Sequence, residues 1–430
     1  MIKKNDSNKW AFYILGTIAE LFTFFHRVNF SVLAPHILRT FKISNSALGM
    51  MSSAFFYSYA ALQPIVGVLT DRWNPKKMLL IFVSIMSLGT LIFSCSPTFS
   101  MTFLGRLLIG VGTAGIRVPV SWMITSYFPV EKRGLLFAVL VFGGRIGELL
   151  ATSPFAILIN LFEWRNVILY MAFISFGLTF LLWFLSRKSD LKKMEEMPSD
   201  CKHVRTEIKQ AKEKNNSFFV FKKIFKIPIV IYGVAFLVFL YSPQVSFQGL
   251  WAVPFFMDIY HMEEIVASGL LITISLGNML GLLIMGGFYD TKYGKLIFAL
   301  SPISTMILFL SLFLWTDKFV GPNIFKIIFF MWGFLQGGAP FVLKVFSLVI
   351  PKKYYGTAMG FIQVFPYIGC ALYQSFTGLM FDFLEGTNIA IRSVGSYKVF
   401  FLFLTLSLII TTFSSFKIVQ ILNKNYAGRI

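Results

Sequence analysis

About twelve long apolar stretches, separated by short polar turns, restrict what this chain can fold into. Each stretch is about 20 residues or longer, the length that an α-helix needs to cross the hydrocarbon core of a bilayer. Of the 430 residues, 56% are hydrophobic and only 13% are charged, which is more apolar surface than a soluble core can bury. The sequence therefore predicts an all-α polytopic membrane protein.

We number the apolar stretches as spans 1 to 12. Their predicted bounds are 10–37, 47–70, 77–95, 101–127, 135–160, 165–186, 227–257, 265–288, 295–315, 325–350, 356–383 and 398–421. This division predicts an N-terminal six-helix half over 1–186, a cytoplasmic linker over 187–226 that is rich in Lys, Glu and Asn, and a C-terminal six-helix half over 227–430.

The formal charge of +20 is distributed unevenly between the two sides of the predicted spans. With both termini inside the cell, most of the 39 Lys and Arg residues fall in cytoplasmic turns, as the positive-inside rule requires. Anionic membrane lipid is the partner that accounts for this charge, so it does not indicate a nucleic acid. The short loops predict a multi-pass protein of a bacterial inner membrane.

A short charged turn after span 2 recurs in the second half. The frame of Gly67 and Asp71, with Arg72 next to the aspartate in the first copy only, returns 219 positions later at Gly286 and Asp290, and two further anchors repeat in order at offsets of 219 and 222. The chain is therefore predicted to be a duplication with two pseudo-symmetric halves, the architecture of a transporter that works by alternating access. Glycine permits close helix approach and aspartate accepts hydrogen bonds at helix N-termini, so we predict a gating role for these five residues.

Several motifs resemble the major facilitator superfamily over nearly the whole chain. Residues 67–77 resemble its signature loop between helices 2 and 3, residues 105–112 its helix 4 motif, and residues 163–165 the usual lead into helix 6. Residues 27–31, followed by Pro35, resemble the organophosphate:phosphate antiporter and anion:cation symporter branches. The resemblance implies the twelve-helix major facilitator fold and a secondary active transporter.

Ionisable residues inside the spans need a partner or a function, because charge in hydrocarbon is energetically unfavourable. Basic residues outnumber acidic ones there, so the cavity is predicted to be net positive. The resemblance assigns Arg27 to binding the anionic group of the substrate, a role that suits the planar guanidinium fork. The alternative is a structural pair with Glu20, two turns earlier on the same face. Arg117 in span 4 is also predicted to contact substrate.

Three residues are candidates for carrying a coupled proton: Glu148, Glu20 and His26. Arg145 and Glu148 are one turn apart in span 5, a spacing that fits either a structural pair or a proton relay. The anion:cation symporters usually carry aspartate where His26 stands and an acid where Arg117 stands. The coupling acid has therefore moved, or coupling differs.

Neutral polar residues follow helical spacing in spans 7 and 11 and predict a binding surface, with ordinary packing as the alternative. The organophosphate antiporters have a second arginine in helix 7, but the repeat partner of Arg27 is Ser246, so symmetric gripping of a phosphate is in doubt. Besides Arg27 and Arg117, the predicted substrate-binding residues are Asn29, Gln244, Gln248, Trp251, Gln363 and Tyr367.

The function predicted from the sequence is transport of a small organic anion by alternating access, through proton symport or exchange for a counter-anion. A monomer without cofactor is expected. No nucleotide-binding loop, metal-ligand cluster or Ser-His-Asp set is evident, so an enzyme is not predicted. A carrier of peptides, siderophores or drugs is the first alternative, and a non-transporting solute sensor is the second. The residues leave the substrate, the direction and the stoichiometry open.

Overall fold

The computed structural model describes residues 3–188, 224–351, 355–386 and 391–425. Most of the predicted linker, residues 189–223, lies outside this described part. Within it the chain is helical and contains no strand, and its helices form twelve consecutive spans. The prediction of an all-α protein with about twelve spans is confirmed.

Five spans consist of two helices each, and the other seven are single helices. The bounds are Lys3–Val28 with Phe30–Phe41, Asn45–Arg72, Pro75–Cys95, Phe99–Ala114 with Arg117–Tyr127, Val130–Leu150 with Ser153–Phe162, Trp164–Lys188, Pro228–Ser246 with Ala252–Tyr260, Glu264–Gly286, Gly294–Trp315, Pro322–Gln336 with Phe341–Val349, Tyr355–Glu385 and Val394–Asn425. Several helices begin earlier than predicted because polar residues cap them. The Ser44 side chain accepts a hydrogen bond from the Ala47 amide, and the Thr98 side chain accepts one from the Met101 amide.

Spans 1, 2 and 11 are more polar than the others. Among the described residues, eight helical spans are long and apolar enough to cross a membrane, and span 5 makes a ninth if its two helices, bent by 45°, count as one. The three remaining spans pack where the two halves meet, so part of their surface contacts protein or the central cavity instead of lipid. Their polar side chains therefore avoid hydrocarbon.

The helix contacts repeat with a period of six spans. Span 1 packs on span 5, span 2 on span 4, and span 3 on spans 4 and 6. Six spans later, span 7 packs on span 11, span 8 on span 10, and span 9 on spans 10 and 12. Between the halves, span 2 packs against span 11 and span 5 against span 8. This symmetry confirms two pseudo-symmetric six-helix halves, while the boundaries at 186 and 227 stay a prediction.

Hydrogen bonds join the two halves at the predicted outer face, the end of the bundle that carries residues 42–44. The Asp382 carboxylate accepts hydrogen bonds from the backbone amides of Asn45 and Ser46, at 2.8 and 2.9 Å, where span 2 begins. His36 Nε2 lies 3.0 Å from both carboxylate oxygens of Glu264. These contacts close the outer face.

The opposite end of the bundle is less tightly packed. A Cβ atom added to Gly67, Gly286 or Gly360 would meet no described atom within 4 Å. The rings of Tyr59 and Tyr367, from spans 2 and 11, lie 4.3 Å apart between their centroids, deeper in the bundle than the Asp382 contact. The space between the halves therefore opens toward the predicted cytoplasmic face.

Replacing Asp382 with asparagine is expected to open the outer face more often. A carboxylate at a helix N-terminus contributes about 1–2 kcal/mol in a partly buried setting. Its loss would shift the equilibrium roughly 5- to 30-fold toward the outward-open state. The measurement is the labelling rate of a cysteine at Ser53 by an impermeant maleimide, in a background without Cys95, Cys201 and Cys370.

Asp317→Asn is the matched control for this prediction. Asp317 lies in the turn between spans 9 and 10 and pairs with Lys398 of the same half, at 2.7 Å. Its neutralisation should leave the labelling rate unchanged. If Asp382→Asn also leaves the rate unchanged, the contact does not hold the outer face closed.

Candidate functional site

A cavity of about 210 Å³ lies between the two halves and is lined by spans 1, 5, 7, 8, 10 and 11. Its charged lining residues come from the first half and are Arg27, Arg145 and Glu148. The polar lining residues from the second half are neutral, namely Tyr241, Gln244, Gln248, Asn278, Gln336, Gln363 and Tyr367. A site at the interface of two repeats is the usual arrangement in secondary transporters.

Glu148 bridges two arginines at the cavity wall. Its Oε2 accepts a hydrogen bond from Arg145 Nη1 at 2.5 Å, and its Oε1 lies 3.4 Å from Arg27 Nη2. The Arg27 and Glu148 side chains are 9% and 7% exposed, so water screens the pair little. Arg145 and Glu148 thus form the contact that their spacing allows, and the structural pair and the proton relay both stay predictions. The contact of Glu148 with Arg27 is the longer one, so another anion can displace Glu148 from Arg27 more readily than from Arg145.

Arg27 does not pair with Glu20, so that alternative from the sequence was wrong. Glu20 Oε1 instead lies 2.7 Å from Arg117 Nε and 2.6 Å from Arg117 Nη2. Two helical turns separate Glu20 from Arg27 by about 10 Å along the axis. Arg117 from span 4 is therefore closer to Glu20, and Glu148 from span 5 is closer to Arg27.

A second cavity, of about 10 Å³, adjoins the Glu20–Arg117 pair and has the size of a single water molecule. Arg27 and Tyr367 line both cavities. Glu20 Oε2 is buried and accepts no hydrogen bond from the described residues. The role of Glu20 as a proton carrier stays a prediction.

Phe24 gathers three guanidinium groups around one ring. The central guanidinium carbons of Arg27, Arg117 and Arg145 lie 3.8, 5.2 and 5.6 Å from the ring centroid. Cation–π attraction of this kind favours positive charge beside an aromatic face. The ring therefore helps to hold like charges together, and sequence analysis missed it because a phenylalanine in an apolar span carries no distinguishing signal.

Asn29 and His26 lie close to Arg27 in the chain but line neither cavity. Two residues correspond to about 200° around a helix, so Asn29 is on the opposite side from Arg27. Asn29 is buried, and its Oδ1 has no hydrogen-bond partner among the described residues. His26 is also buried, with Nε2 at 3.3 Å from Thr90 Oγ1, which favours a structural hydrogen bond.

A π-helical turn, Phe247–Trp251, interrupts span 7 beside the cavity. Gln244 and Gln248 line the cavity, but Trp251 does not. The indole Nε1 of Trp251 donates a hydrogen bond to Thr377 Oγ1 at 2.8 Å, and the side chain is fully buried. The sequence prediction assumed regular α-helical spacing, whereas the wider π turn rotates the following residues away from that face.

Asn278 and Gln336 line the cavity without having been identified from the sequence, and Arg145, which was considered there only with Glu148, also lines it. Asn278 is 7% exposed and Gln336 is 4% exposed. The signal that could have found them is an isolated amide inside an otherwise apolar span, because buried polar groups are kept in membranes only where they have a partner or a function.

The predicted gating residues lie away from the cavity, near the predicted cytoplasmic face. Gly67 and Gly286 have no described atom near an added Cβ, so the close helix approach expected there is not present in this conformation. Asp290 Oδ1 pairs with Lys344 Nζ at 2.7 Å. The side chains of Asp71 and Arg72 lie outside the described part of the structure, and the gating role stays a prediction.

Comparisons with known proteins connect these observations to a family. The family model of the Major Facilitator Superfamily matches residues 16–373. The "probable sulfoacetate transporter SauU" of Cupriavidus necator is 28% identical over 178 residues, which cover 41% of this chain and 41% of that protein. The match therefore spans about two fifths of that relative's length.

A longer match links the chain to a "probable hexose phosphate transport protein" of Chlamydia pneumoniae, at 23% identity over 378 residues, covering 82% of this chain and 80% of that protein. The crystal structure of a bacterial homologue of the human lysosomal transporter Spinster, inward-facing and unoccupied, is similar with a TM-score of 0.69. The two chains are 18% identical over 96% of this chain and 98% of the other, a likeness that shows the fold. With a family model that covers most of its length and twelve spans in symmetric halves, this chain belongs to the major facilitator superfamily.

Proposed function

We propose that this transporter carries a small organic anion by alternating access, across a bacterial inner membrane, as a monomer with cytoplasmic termini. The observation that carries the proposal is the pair of guanidinium groups, Arg27 and Arg145, on one wall of the cavity between the halves. Guanidinium binds carboxylate, phosphate or sulfonate through parallel hydrogen bonds. The names of two relatives, which specify sulfoacetate and hexose phosphate, agree with this substrate class.

Glu148 couples the anion to a proton in this proposal. As a carboxylate it contacts both arginines when no substrate is bound. A substrate anion that binds Arg27 and Arg145 replaces Glu148 as their partner. The negative charge of the anion also repels the Glu148 carboxylate, so Glu148 is more readily protonated when the anion is bound. Anion and proton then bind together, and because linkage is reciprocal, anion affinity rises as pH falls.

Exchange of one anion for another is the second mechanism that the same geometry supports. If Glu148 stays ionised through the cycle, a departing anion leaves Arg27 and Arg145 to be neutralised by Glu148 or by an incoming anion.

Glu20 is an alternative site for the coupled proton. Its Oε1 lies 2.7 Å from Arg117 Nε and 2.6 Å from Arg117 Nη2, and its buried Oε2 has no hydrogen-bond partner among the described residues. Of the three residues proposed from the sequence to carry the proton, we favour Glu148 and Glu20, because they line the cavities and His26 does not.

The size and charge of the cavity disfavour the other substrates. Its volume of about 210 Å³ is below the roughly 300–1,000 Å³ of pockets that hold drug-sized ligands. A siderophore, a bulky drug or a peptide longer than a dipeptide would need a larger space. Two arginines against one glutamate leave a net positive lining, which repels lipophilic cations.

Uptake into proteoliposomes tests the proposed function. Vesicles containing the purified protein would be offered radiolabelled organic anions, neutral sugars, dipeptides and lipophilic cations, with an inward proton gradient and again with a protonophore. We expect uptake of at least one class of small anion, reduced by the protonophore. Uptake restricted to neutral or cationic solutes would overturn the proposal, and anion uptake that needs internal anion but no gradient would identify exchange.

A further inference from the structure

We infer that His36 and Glu264 form a latch between the two halves that strengthens when the outer side becomes acidic. His36 lies in the outer helix of span 1, Phe30–Phe41, and Glu264 is the first residue of span 8. Protonation of His36 then shifts the protein toward the form that is closed to the outside. This response to pH is separate from substrate binding and requires no particular substrate.

The contact joins one ring nitrogen to both oxygens of the carboxylate. His36 Nε2 lies 3.0 Å from Oε1 and 3.0 Å from Oε2 of Glu264. An ionised carboxylate only accepts hydrogen bonds, so Nε2 carries a hydrogen and donates it to the two oxygens. Nδ1 is therefore the nitrogen that gains the second proton. Protonation adds a positive charge to the ring without breaking the contact at Nε2.

The charge on the ring decides how strongly the pair holds the halves together. Coulomb attraction between imidazolium and carboxylate exists only when His36 is protonated, and the two side chains are 21% and 9% exposed, so water screens it only in part. The attraction stabilises the closed form alone, because the two groups separate when the outer face opens. This stabilisation is complete at low pH and is lost as the imidazole deprotonates, which histidine does between pH 5 and 8.

Other hydrogen bonds join the halves on the outer side, and they contain no group that changes charge between pH 5 and 8. The pairs are Ser153 with Ile265, Ser375 with Ser53, Val253 with Ser31, Arg392 with Asn45, and Asp382 with Asn45 and Ser46. Hydroxyls, amides and carbonyls do not titrate in this range, guanidinium stays protonated and aspartate stays ionised. His36 is therefore the titrating member of these contacts.

Other titratable groups around the latch have their own partners or are exposed. The outer helix of span 7 packs against both the outer helix of span 1 and span 8. Its Asp258 Oδ2 accepts hydrogen bonds from Arg392 Nη1 at 2.5 Å and Tyr397 Oη at 2.9 Å, and its Tyr260 Oη donates to the Trp315 carbonyl oxygen at 2.8 Å.

The remaining elements near the latch bring no buried charge to it. The outer helix of span 5, Ser153–Phe162, packs on span 8 and contains no ionisable residue. The π turn and the outer part of span 2 contain none either. The nearby exposed groups are Arg39, Lys42, Glu163, His261 and Glu263. Glu264 is thus the acid that the described structure places against His36.

Spin-label distances across the outer face test the latch. Labels would be attached at Leu161, near the outer end of span 5, and at Phe319, between spans 9 and 10, both of which are exposed. The full-length protein without Cys95, Cys201 and Cys370 would be measured by double electron–electron resonance at pH 5.5 and 8, with no substrate present. We expect the ratio of closed to open protein to be roughly fivefold or more higher at pH 5.5.

Variants of His36 separate its charge from its packing. His36→Gln keeps an N–H donor but cannot gain a charge, so its ratio should stay near the wild-type value at pH 8 under both conditions. His36→Lys is charged at both pH values and should stay near the wild-type value at pH 5.5. Glu264→Gln should also lose the response. His261→Gln removes an exposed histidine of the same face and is the control, which should respond as wild type.

The outcomes distinguish a latch from a merely structural contact. An equal ratio at both pH values in the wild type would overturn the inference, and so would a folded His36→Gln or Glu264→Gln that keeps the wild-type response. The wild-type comparison applies even if a latch variant fails to fold. Repeating the series with Asp382→Asn, which is expected to open the outer face more often, keeps both populations measurable. The anion carrier is tested separately, because this measurement contains no substrate.

Discussion

Replacing Arg27 with glutamine is expected to weaken anion binding roughly 30- to 150-fold, because a charge-assisted hydrogen bond to a buried anion contributes about 2–3 kcal/mol. The fold should survive the change, since Glu148 keeps its closer partner, Arg145, at 2.5 Å. Isothermal titration with the best transported anion measures the loss. Arg27→Lys keeps the charge without the planar fork and should fall between wild type and glutamine.

Arg39→Gln is the control for this change. Arg39 lies in the same span as Arg27 but is exposed near the predicted outer face. Its loss should leave anion affinity within about twofold of wild type, a difference that corresponds to less than 0.5 kcal/mol. Equal affinities of wild type and Arg27→Gln would show that Arg27 is structural and remove the basis of the proposed substrate class.

Replacing Glu148 with glutamine is expected to abolish the pH dependence of anion binding. In the wild type, binding of one coupled proton with the anion makes affinity rise as pH falls, by up to about tenfold per pH unit. Glutamine has no carboxylate to titrate or to compete for Arg27 and Arg145, so affinity should stay flat from pH 5.5 to 8. Accumulation driven by a proton gradient should also be lost, while counterflow of labelled against unlabelled anion should continue.

Two parallel variants decide how the Glu148 result is interpreted. Glu131→Gln, at an exposed position near the predicted cytoplasmic face, should behave as wild type. Glu20→Gln tests the second buried acid. If Glu148→Gln keeps the wild-type pH profile and Glu20→Gln loses it, the proton is carried beside Arg117. If neither variant changes the profile, the symport mechanism is contradicted.

Hydropathy and the internal repeat were sufficient to predict the fold, because a membrane requires long helices and a duplication requires symmetric halves. Hydropathy alone recognises spans 1, 2 and 11 less well, because part of their surface packs against the other half instead of facing lipid and can therefore be polar. The repeat frame supported their place in the two sets, and polar residues of spans 1 and 11 line the larger cavity.

The candidate site was predictable in type but not in pairing. Arg27, Gln244, Gln248, Gln363 and Tyr367 line the larger cavity, as expected from charge and helical spacing. Which carboxylate contacts which arginine depends on how neighbouring spans pack, and spacing along one helix cannot supply that information. Local sequence likewise gives no sign of the π turn that removes Trp251 from the cavity, because tertiary packing selects it.

The outer closure and the cavity bridge describe two parts of one cycle. Asp382 and Glu264 hold the halves together at the predicted outer face, while the space around Arg27 opens to the other side. When a monovalent anion and a proton on Glu148 bind together, the anion replaces the Glu148 carboxylate as the countercharge, so the net charge of the cavity stays at one positive charge. Binding therefore adds no uncompensated charge that would oppose closure.

Thermal stabilisation of the purified protein tests the central claim most directly. Melting temperatures of wild type, Arg27→Gln and Arg39→Gln would be measured with small anions, neutral sugars, dipeptides and lipophilic cations, because a ligand that binds the native state raises its melting temperature by mass action. We predict that one class of anions stabilises wild type and Arg39→Gln but not Arg27→Gln. Stabilisation by neutral or cationic solutes alone, or by anions equally in all three proteins, would contradict an anion carrier built on Arg27.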